Sequence, residues 1–176
     1  MFKLKLSSTL LVAALSCSGY ALADIIVPIQ MAGATGPGKL IGNITISESQ
    51  YGLVFTPDLA GLPMGVHGFH LHANGSCAAA EKDGKMVPAL AAGAHYDPNN
   101  SKKHGSPWGN GHLGDLPPLI VDADGRSTEP VLAPRLHDLE MLKGHSLMIH
   151  AGGDNYSDEP MPVGGGGARI ACGVIQ

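Results

Sequence analysis

Read as a β-strand, Gly68-Phe69-His70-Leu71-His72 repeats with a period of two, so His70 and His72 share one face and Leu71 takes the other. Two imidazoles then converge on one point. Working outward, two more histidines answer them, His95 in Gly93-Ala94-His95-Tyr96-Asp97-Pro98 and His150 in Leu147-Met148-Ile149-His150. His104, His112 and Asp115 form a second cluster that begins at His95. The chain thus carries one all-nitrogen set and one mixed nitrogen and oxygen set.

The rest of the chain is consistent with strands. Its 176 residues suit one domain, and 25 glycines and 13 prolines, with few aromatics and no long helical periodicity, favour short strands joined by turns. Asp24 to Met31 is apolar enough for a strand, and Gly33 to Gly38 is a turn. From Lys39 to Ser47 the even positions Leu40, Gly42, Ile44 and Ile46 are apolar or small and the intervening Asn43, Thr45 and Ser47 polar, which marks a half-buried strand. Tyr51, Leu53 and Phe55 continue this pattern until Pro57-Asp58 breaks it. Asn74 to Pro118 reads as a long loop that bound metal and a disulfide would order. Leu119 to Val121 and Ser127 to Leu132 flank Asp122-Ala123-Asp124-Gly125, a hairpin signal. Arg135 to Lys143 predicts a short helical turn, Ser146 to His150 a strand, Gly152 to Gly167 a loop, and Arg169 to Ile175 the closing strand.

The N-terminus stands apart. Lys3 and Lys5 precede a largely apolar run from Leu6 to Leu15, and Ala21-Leu22-Ala23 has the form of a cleavage site, so residues 1–23 read as a secretory signal peptide and 24–176 as the folded domain. The apolar run is shorter than the roughly 18 to 20 residues that span a bilayer, so no membrane association is expected after cleavage. Lipoprotein processing at Cys17 is an alternative with a poor match before the cysteine. Cutting after Ala23 removes two lysines and no acid, taking the formal charge from −4 to −6, which argues against nucleic acid as a partner. It also leaves Cys77 and Cys172 as an even pair in an exported chain, expected to form a disulfide that stabilises the fold by about 3 to 5 kcal/mol on the chain-entropy argument.

Neutral imidazole suits both copper and zinc; four histidines in a flattened arrangement suit Cu(II), and three histidines with a carboxylate suit tetrahedral zinc. His95 is the one histidine that sequence order places between the two sets. His67, His137 and His145 are read as hydrogen-bonded structural residues.

The words GVHGFHLH at 65–72, GAHYDP at 93–98, KKHG at 102–105, GHLGDLPPL at 111–119, LKGHSLMIHAGGDNYSD at 142–158 and GGGGARIACGVI at 164–175 cover most of the mature chain in order. In these words the chain resembles the copper,zinc superoxide dismutases of the bacterial, periplasmic type. The resemblance implies an all-β fold, a Greek-key β-sandwich or flattened barrel of eight antiparallel strands with long metal-binding loops. It implies one copper ion per subunit at His70, His72, His95 and His150, and one zinc ion at His95, His104, His112 and Asp115, with His95 bridging. It further implies a Cys77–Cys172 disulfide, an active-site arginine at Arg169, and an aspartate at Asp154 that links a copper-ligand histidine to a zinc-ligand histidine. The implied activity is conversion of superoxide to dioxygen and hydrogen peroxide by Cu(II)/Cu(I) cycling, with His95 as proton carrier and zinc structural, protecting a periplasmic or extracellular compartment.

A net-negative protein with an anionic substrate needs a local positive field; Arg169 supplies part of it, and Lys82, Lys85, Lys102 and Lys103 are read either as further contributors or as ordinary solvated lysines. The metal ligands alone leave open a periplasmic metal buffer without turnover, which would not need Arg169. A copper-only relative is disfavoured by the filled zinc positions, and a zinc hydrolase by the absence of an open ligand position. Trp108, a large aromatic in the loop, marks either a homodimer contact or packing on its own loop.

Overall fold

A computed structural model describes residues 23–176. The signal-peptide reading, apart from Ala23, and the Cys17 alternative lie outside these residues. Strands follow one another as β1 (Ile25–Gly33), β2 (Gly36–Ser49), β3 (Gly52–Ala60), β4 (Gly65–His67), β5 (Phe69–His72), β6 (Ala80–Lys82), β7 (Lys85–Val87), β8 (Leu119–Val121), β9 (Arg126–Ser127), β10 (Val131–Ala133), β11 (Ser146–His150) and β12 (Arg169–Val174). Helical structure among the described residues is confined to 3-10 turns at Leu90–Ala92, Glu140–Leu142 and Val163–Gly165. The second of these is the turn expected between Arg135 and Lys143.

Eight strands form one antiparallel sheet in the order β10-β3-β2-β1-β12-β11-β5, with β9 also paired to β3. The first and last strands among the described residues, β1 and β12, are neighbours, and the connection from β3 carries the chain to the opposite edge at β5. This is the eight-stranded antiparallel β fold expected. Two ribbons, β4 with β8 and β6 with β7, complete it. The inward faces put Val27, Ile29, Ile44, Ile46, Leu53, Phe55, Phe69, Leu71, Leu147 and Ile149 out of contact with water in one core. Each such side chain contributes on the order of 2 kcal/mol of transfer free energy.

Three local expectations are corrected. In β2 the alternation does not run unbroken: Leu40 is 54 % exposed and Ile41 is buried. A bulge causes it, since β1 pairs Ile29 with Gly42 but the next residue, Gln30, with Leu40, which switches the inward face. Gly42 sits at the bulge with φ 133°, and a Cβ there would also stand 2.0 Å from the Asp58 carbonyl oxygen on β3.

Pro57 does not end its strand; β3 runs through Pro57 and Asp58 to Ala60. The backbone N–H of Leu53 points away from β2, donating to Leu136 O at 2.8 Å, and by the two-residue period the Pro57 nitrogen points the same way. There β3 lacks an outer partner, lying between its stretches paired to β10 and to β9, so no ladder bond is lost.

The Asp124-Gly125 turn closes, with Gly125 N–H donating to Asp122 O at 3.1 Å, but it does not make a hairpin. Its flanking strands part, β8 to β4 and β9 to β3, and the second splits into β9 and β10. The hairpin lies elsewhere. Within the stretch read as a loop, Asp83 and Gly84, with φ 52° and 74°, make the two-residue turn joining β6 to β7.

These glycines give a testable contrast. Gly61, at φ 91°, has open space where a Cβ would go. Gly61→Ala is expected to cost about 1 to 2 kcal/mol from backbone strain alone, whereas Gly42→Ala adds a backbone collision and is expected to cost more than about 3 kcal/mol. Denaturant unfolding of the two variants checks this; equal losses would refute the bulge argument.

Candidate metal centre

Each histidine of the sheet is held by its strand. His70 and His72 lie on β5 and His150 ends β11, which pairs with β5 in the register Met148 opposite His70 and Ser146 opposite His72. All three are buried. His95 and Asp115 come from the long loop, and this loop seals the open edge of β5. Leu71 N–H donates to Gly114 O at 2.9 Å, and Leu71 O accepts from Tyr96 N–H at 2.8 Å. Gly114 N–H in turn donates to Tyr96 O at 2.8 Å. A side chain at Gly114 would collide with this junction, its Cβ 2.2 Å from Leu71 O.

The first group is His70, His72, His95 and His150, whose candidate ligand atoms lie within 4.8 Å of one another. For metal–nitrogen bonds of about 2.0 Å, opposite nitrogens of a flattened site stand about 4 Å apart. Hydrogen bonds fix which nitrogen each ring offers. His70 Nε2–H donates to Asp154 Oδ2 at 2.7 Å, His72 Nδ1–H to Gly93 O at 2.9 Å and His150 Nδ1–H to Gly167 O at 3.2 Å. What remains is His70 Nδ1, His72 Nε2 and His150 Nε2, all buried and without a hydrogen-bond partner. Orphaned buried lone pairs that converge are what a metal cation satisfies.

The second group is His95, His104, His112 and Asp115. Asp115 Oδ1 lies 2.9 Å from His95 Nδ1, 2.9 Å from His104 Nδ1 and 3.2 Å from His112 Nδ1. Ligand atoms on a tetrahedron with bonds of about 2.0 Å are separated by about 3.3 Å. At His104 Nδ1 the short distance is not a well-aligned hydrogen bond, which suits a lone pair aimed beside the oxygen at a common centre. The donor chemistry fits zinc.

One ring belongs to both groups. The centroid of His95 lies 4.0 Å from that of His70, 5.0 Å from His72 and 5.3 Å from each of His104 and His112. Asp154 spans the same gap from behind, its Oδ2 accepting from His70 and its Oδ1 from His104 Nε2–H at 2.8 Å. His70, His104 and Asp154 also form a tight triple, but the nitrogens engaged there are those turned away from the two ligand centres.

Electrostatics keeps most of the rings neutral. Burial, reinforced by the neighbouring imidazoles, lowers His70 to about 3 and His150 to about 4, and holds His72 well below its ordinary value. His95 is lowered too, chiefly by burial. His104 is the exception. Burial opposes its charge, but Asp115 and Asp154 outweigh it and raise it to about 9. Both carboxyls are held well below the usual carboxylate range, their histidine hydrogen bonds overcoming the effect of burial.

Arg169 begins β12 beside the first group. It donates through Nη1 to Ala89 O and through Nη2 to Gly93 O, each at 2.6 Å, and Gly93 O is also the acceptor for His72. Its charge acts on His72 and His150, lowering both further. Cys77 and Cys172 form a disulfide with Cα atoms 5.7 Å apart, tying the start of the long loop to β12.

The chain is 58 % identical over 165 residues to superoxide dismutase [Cu-Zn] 1 of Salmonella typhimurium, covering 93 % of each chain. The family model described as copper/zinc superoxide dismutase matches residues 40–175. The chain belongs to this family. Among solved structures, it is similar to the Cu/Zn superoxide dismutase from Brucella abortus, with a TM-score of 0.86, 56 % identity, and coverage of 88 % of this chain and 100 % of that one. It is also similar to the monomeric copper, zinc superoxide dismutase from Salmonella enterica, with a TM-score of 0.80, 57 % identity and the same coverage.

Other expected residues fall as follows. His67 is buried with its ring nitrogens on His150 O at 2.7 Å and Pro63 O at 2.8 Å, and His145 donates through Nδ1 to Ala73 O at 2.8 Å. Both are structural in the sense expected, whereas His137 is exposed. Lys82, Lys85, Lys102 and Lys103 are all exposed. Lys82 faces Lys85 across the β6–β7 ribbon, a like-charge pair that lowers stability slightly. Asp158 and Gly164 were not anticipated. Asp158 Oδ2 accepts from His104 N–H at 2.9 Å, and a Cβ at Gly164 would stand 2.2 Å from Asp154 Oδ1. The glycine run at 164–167 was the available signal: the backbone must pass close to buried rings and a carboxylate.

Because His104 is raised to about 9, it is protonated at pH 7 in the metal-free protein and must release that proton to bind a metal. Apparent zinc affinity is therefore expected to rise about tenfold per pH unit towards pH 9 and to level off above it. Calorimetric titration of metal-free protein with zinc, in buffers of different ionisation enthalpy, reads the proton count. A flat profile between pH 7 and 9 would contradict the assignment.

Proposed function

We propose that this chain disproportionates superoxide in the periplasm, after removal of residues 1–23 from the single domain at 24–176, turning two superoxide anions and two protons into dioxygen and hydrogen peroxide. The reading rests on the family, on close relatives named as Cu-Zn superoxide dismutases, and above all on one imidazole, His95, in contact with both histidine groups beside an arginine. Copper held by His70, His72, His95 and His150 supplies one-electron exchange when bound, and zinc held by His95, His104, His112 and Asp115 supplies a fixed positive charge.

The protein's own groups do the rest. Arg169 uses two of its five N–H donors on the carbonyls of Ala89 and Gly93, which leaves donors to attract and orient an anion at the His72 and His150 side. His95 has Nδ1 committed towards Asp115, so Nε2 is the atom that takes up a proton and hands it to the reduced product. Asp154 holds His70 and His104 in fixed tautomers throughout. A metal buffer would need the same ligands but not Arg169. Among the described residues no helix is long and apolar enough to cross a membrane.

For the assembly, we take the monomeric Salmonella enterica relative as the guide. Trp108 is 67 % exposed yet packs edge-on against Tyr156 with centroids 5.7 Å apart, which gives it a partner within the chain. Light scattering of wild type and Trp108→Ala is expected to give equal masses; a heavier wild type would put Trp108 in a subunit contact.

Arg169→Glu is expected to lower the superoxide consumption rate by about 100-fold or more, because it removes an anion anchor and reverses its charge. Copper and zinc contents measured on the same sample are expected to stay at wild-type levels. Undiminished turnover would remove Arg169 from the mechanism.

A further inference from the structure

We propose that Arg135 is a positioning residue for the zinc-side group, a guanidinium clamp by which the sheet holds His112 and Asp115 in register. The proposal rests on the reading that His95, His104, His112 and Asp115 hold zinc.

His112 lies in a stretch without strand or helix, so its placement depends on what grips its backbone. Arg135 grips it at three points. Its Nε–H donates to Pro107 O at 2.8 Å, its Nη1–H to Gly111 O at 3.1 Å, and its Nη2–H to the carbonyl oxygen of His112 itself. Hydrogen bonds from a charged donor are about twice as strong as neutral ones, and the planar fork fixes directions as well as distances.

The clamp stands on a rigid base. Ala133 ends β10 in register with Leu53, Leu136 N–H donates to Ala133 O at 3.2 Å, and Leu136 O accepts from Leu53 N–H at 2.8 Å. Leu136 is fully buried, so the backbone on both sides of Arg135 belongs to the barrel wall.

What it grips reaches the carboxylate. A Cβ at Gly111 would stand 2.6 Å from Asp115 Oδ2 and 2.5 Å from Gly105 N, so the Gly111 backbone passes beside the Asp115 carboxylate and the residue after His104 with no room for a side chain between them. Gly105 N–H donates to the same Asp115 oxygen at 2.8 Å. A shift of the 107–112 segment therefore moves His112 directly and reaches Asp115 through its backbone N–H, which donates to His112 O at 3.3 Å. By contrast, the orienting bonds of His70, His72 and His150 run to Asp154, Gly93 and Gly167, none of which Arg135 touches.

The test compares wild type, Arg135→Gln and Arg135→Lys, each loaded with copper and zinc and challenged with a chelator. Zinc release is expected to be about 10- to 100-fold faster in Arg135→Gln, the scale typical of groups that orient metal ligands. Arg135→Lys, with one point donor in place of a fork, is expected to fall between. Copper retention and the copper electron paramagnetic resonance spectrum are expected to match wild type. With cobalt(II) in place of zinc, the visible ligand-field bands are expected to shift in both variants. Unchanged zinc release and cobalt bands in either folded variant would overturn the proposal, as would equal acceleration of copper and zinc loss, which signals general loosening. Should Arg135→Gln fail to fold, Arg135→Lys decides alone. A wild type that takes no cobalt into a tetrahedral site would instead overturn the underlying zinc assignment.

Discussion

The centre depends on the edge of one short strand. Leu71 is buried in the core through its side chain, while its backbone N–H and C=O are taken by Gly114 and Tyr96. An unpaired edge strand carrying two metal-ligand candidates would be both sticky and mobile; here the long loop supplies the missing partner. The same pairing places His95 across from His72 and Asp115 across from His70. Loop and sheet are thus joined by the backbone, and the ligand geometry follows from strand spacing. Precision at the site is inherited from the barrel.

Around that junction, neutral and charged groups are sorted by burial and by carboxylate contact. Three rings on the sheet side are buried away from carboxylates, except for the single bond to Asp154, and stay uncharged. His104 sits between Asp115 and Asp154, whose carboxylates favour its charged form. The difference is physical: burial disfavours charge on His70, His72, His95, His104 and His150 alike, and of these only His104 has two carboxylates to outweigh it. Arg169 adds a positive group where the rings are neutral, near the face that an anion would approach.

Much of this was legible in the chain. The candidate ligand residues lie in short words that carry their own local structure; strand period pairs His70 with His72, and the resemblance to the family supplies the rest of each group. The less legible features depend on contacts between distant residues. The inward face of β2 switches at a bulge where Ile41 has no partner in β1 and Gly42 takes a positive φ, which local alternation cannot reveal. Pro57 looks like a strand breaker until the pairing shows that its nitrogen points to the unpaired side. Of two Asp-Gly pairs, Asp83-Gly84 closes a hairpin and Asp124-Gly125 does not, because the strands on either side of the second turn pair in two different sheets, β8 with β4 and β9 with β3. Arg135 left no local trace, since its acceptors are carbonyls 23 to 28 residues away.

Asp154 offers two oxygens to histidines, one to His70 and one to His104, a ring from each of the two four-residue groups. A single change at this carboxylate would free both rings at once, so one side chain sets the orientation of both halves of the centre.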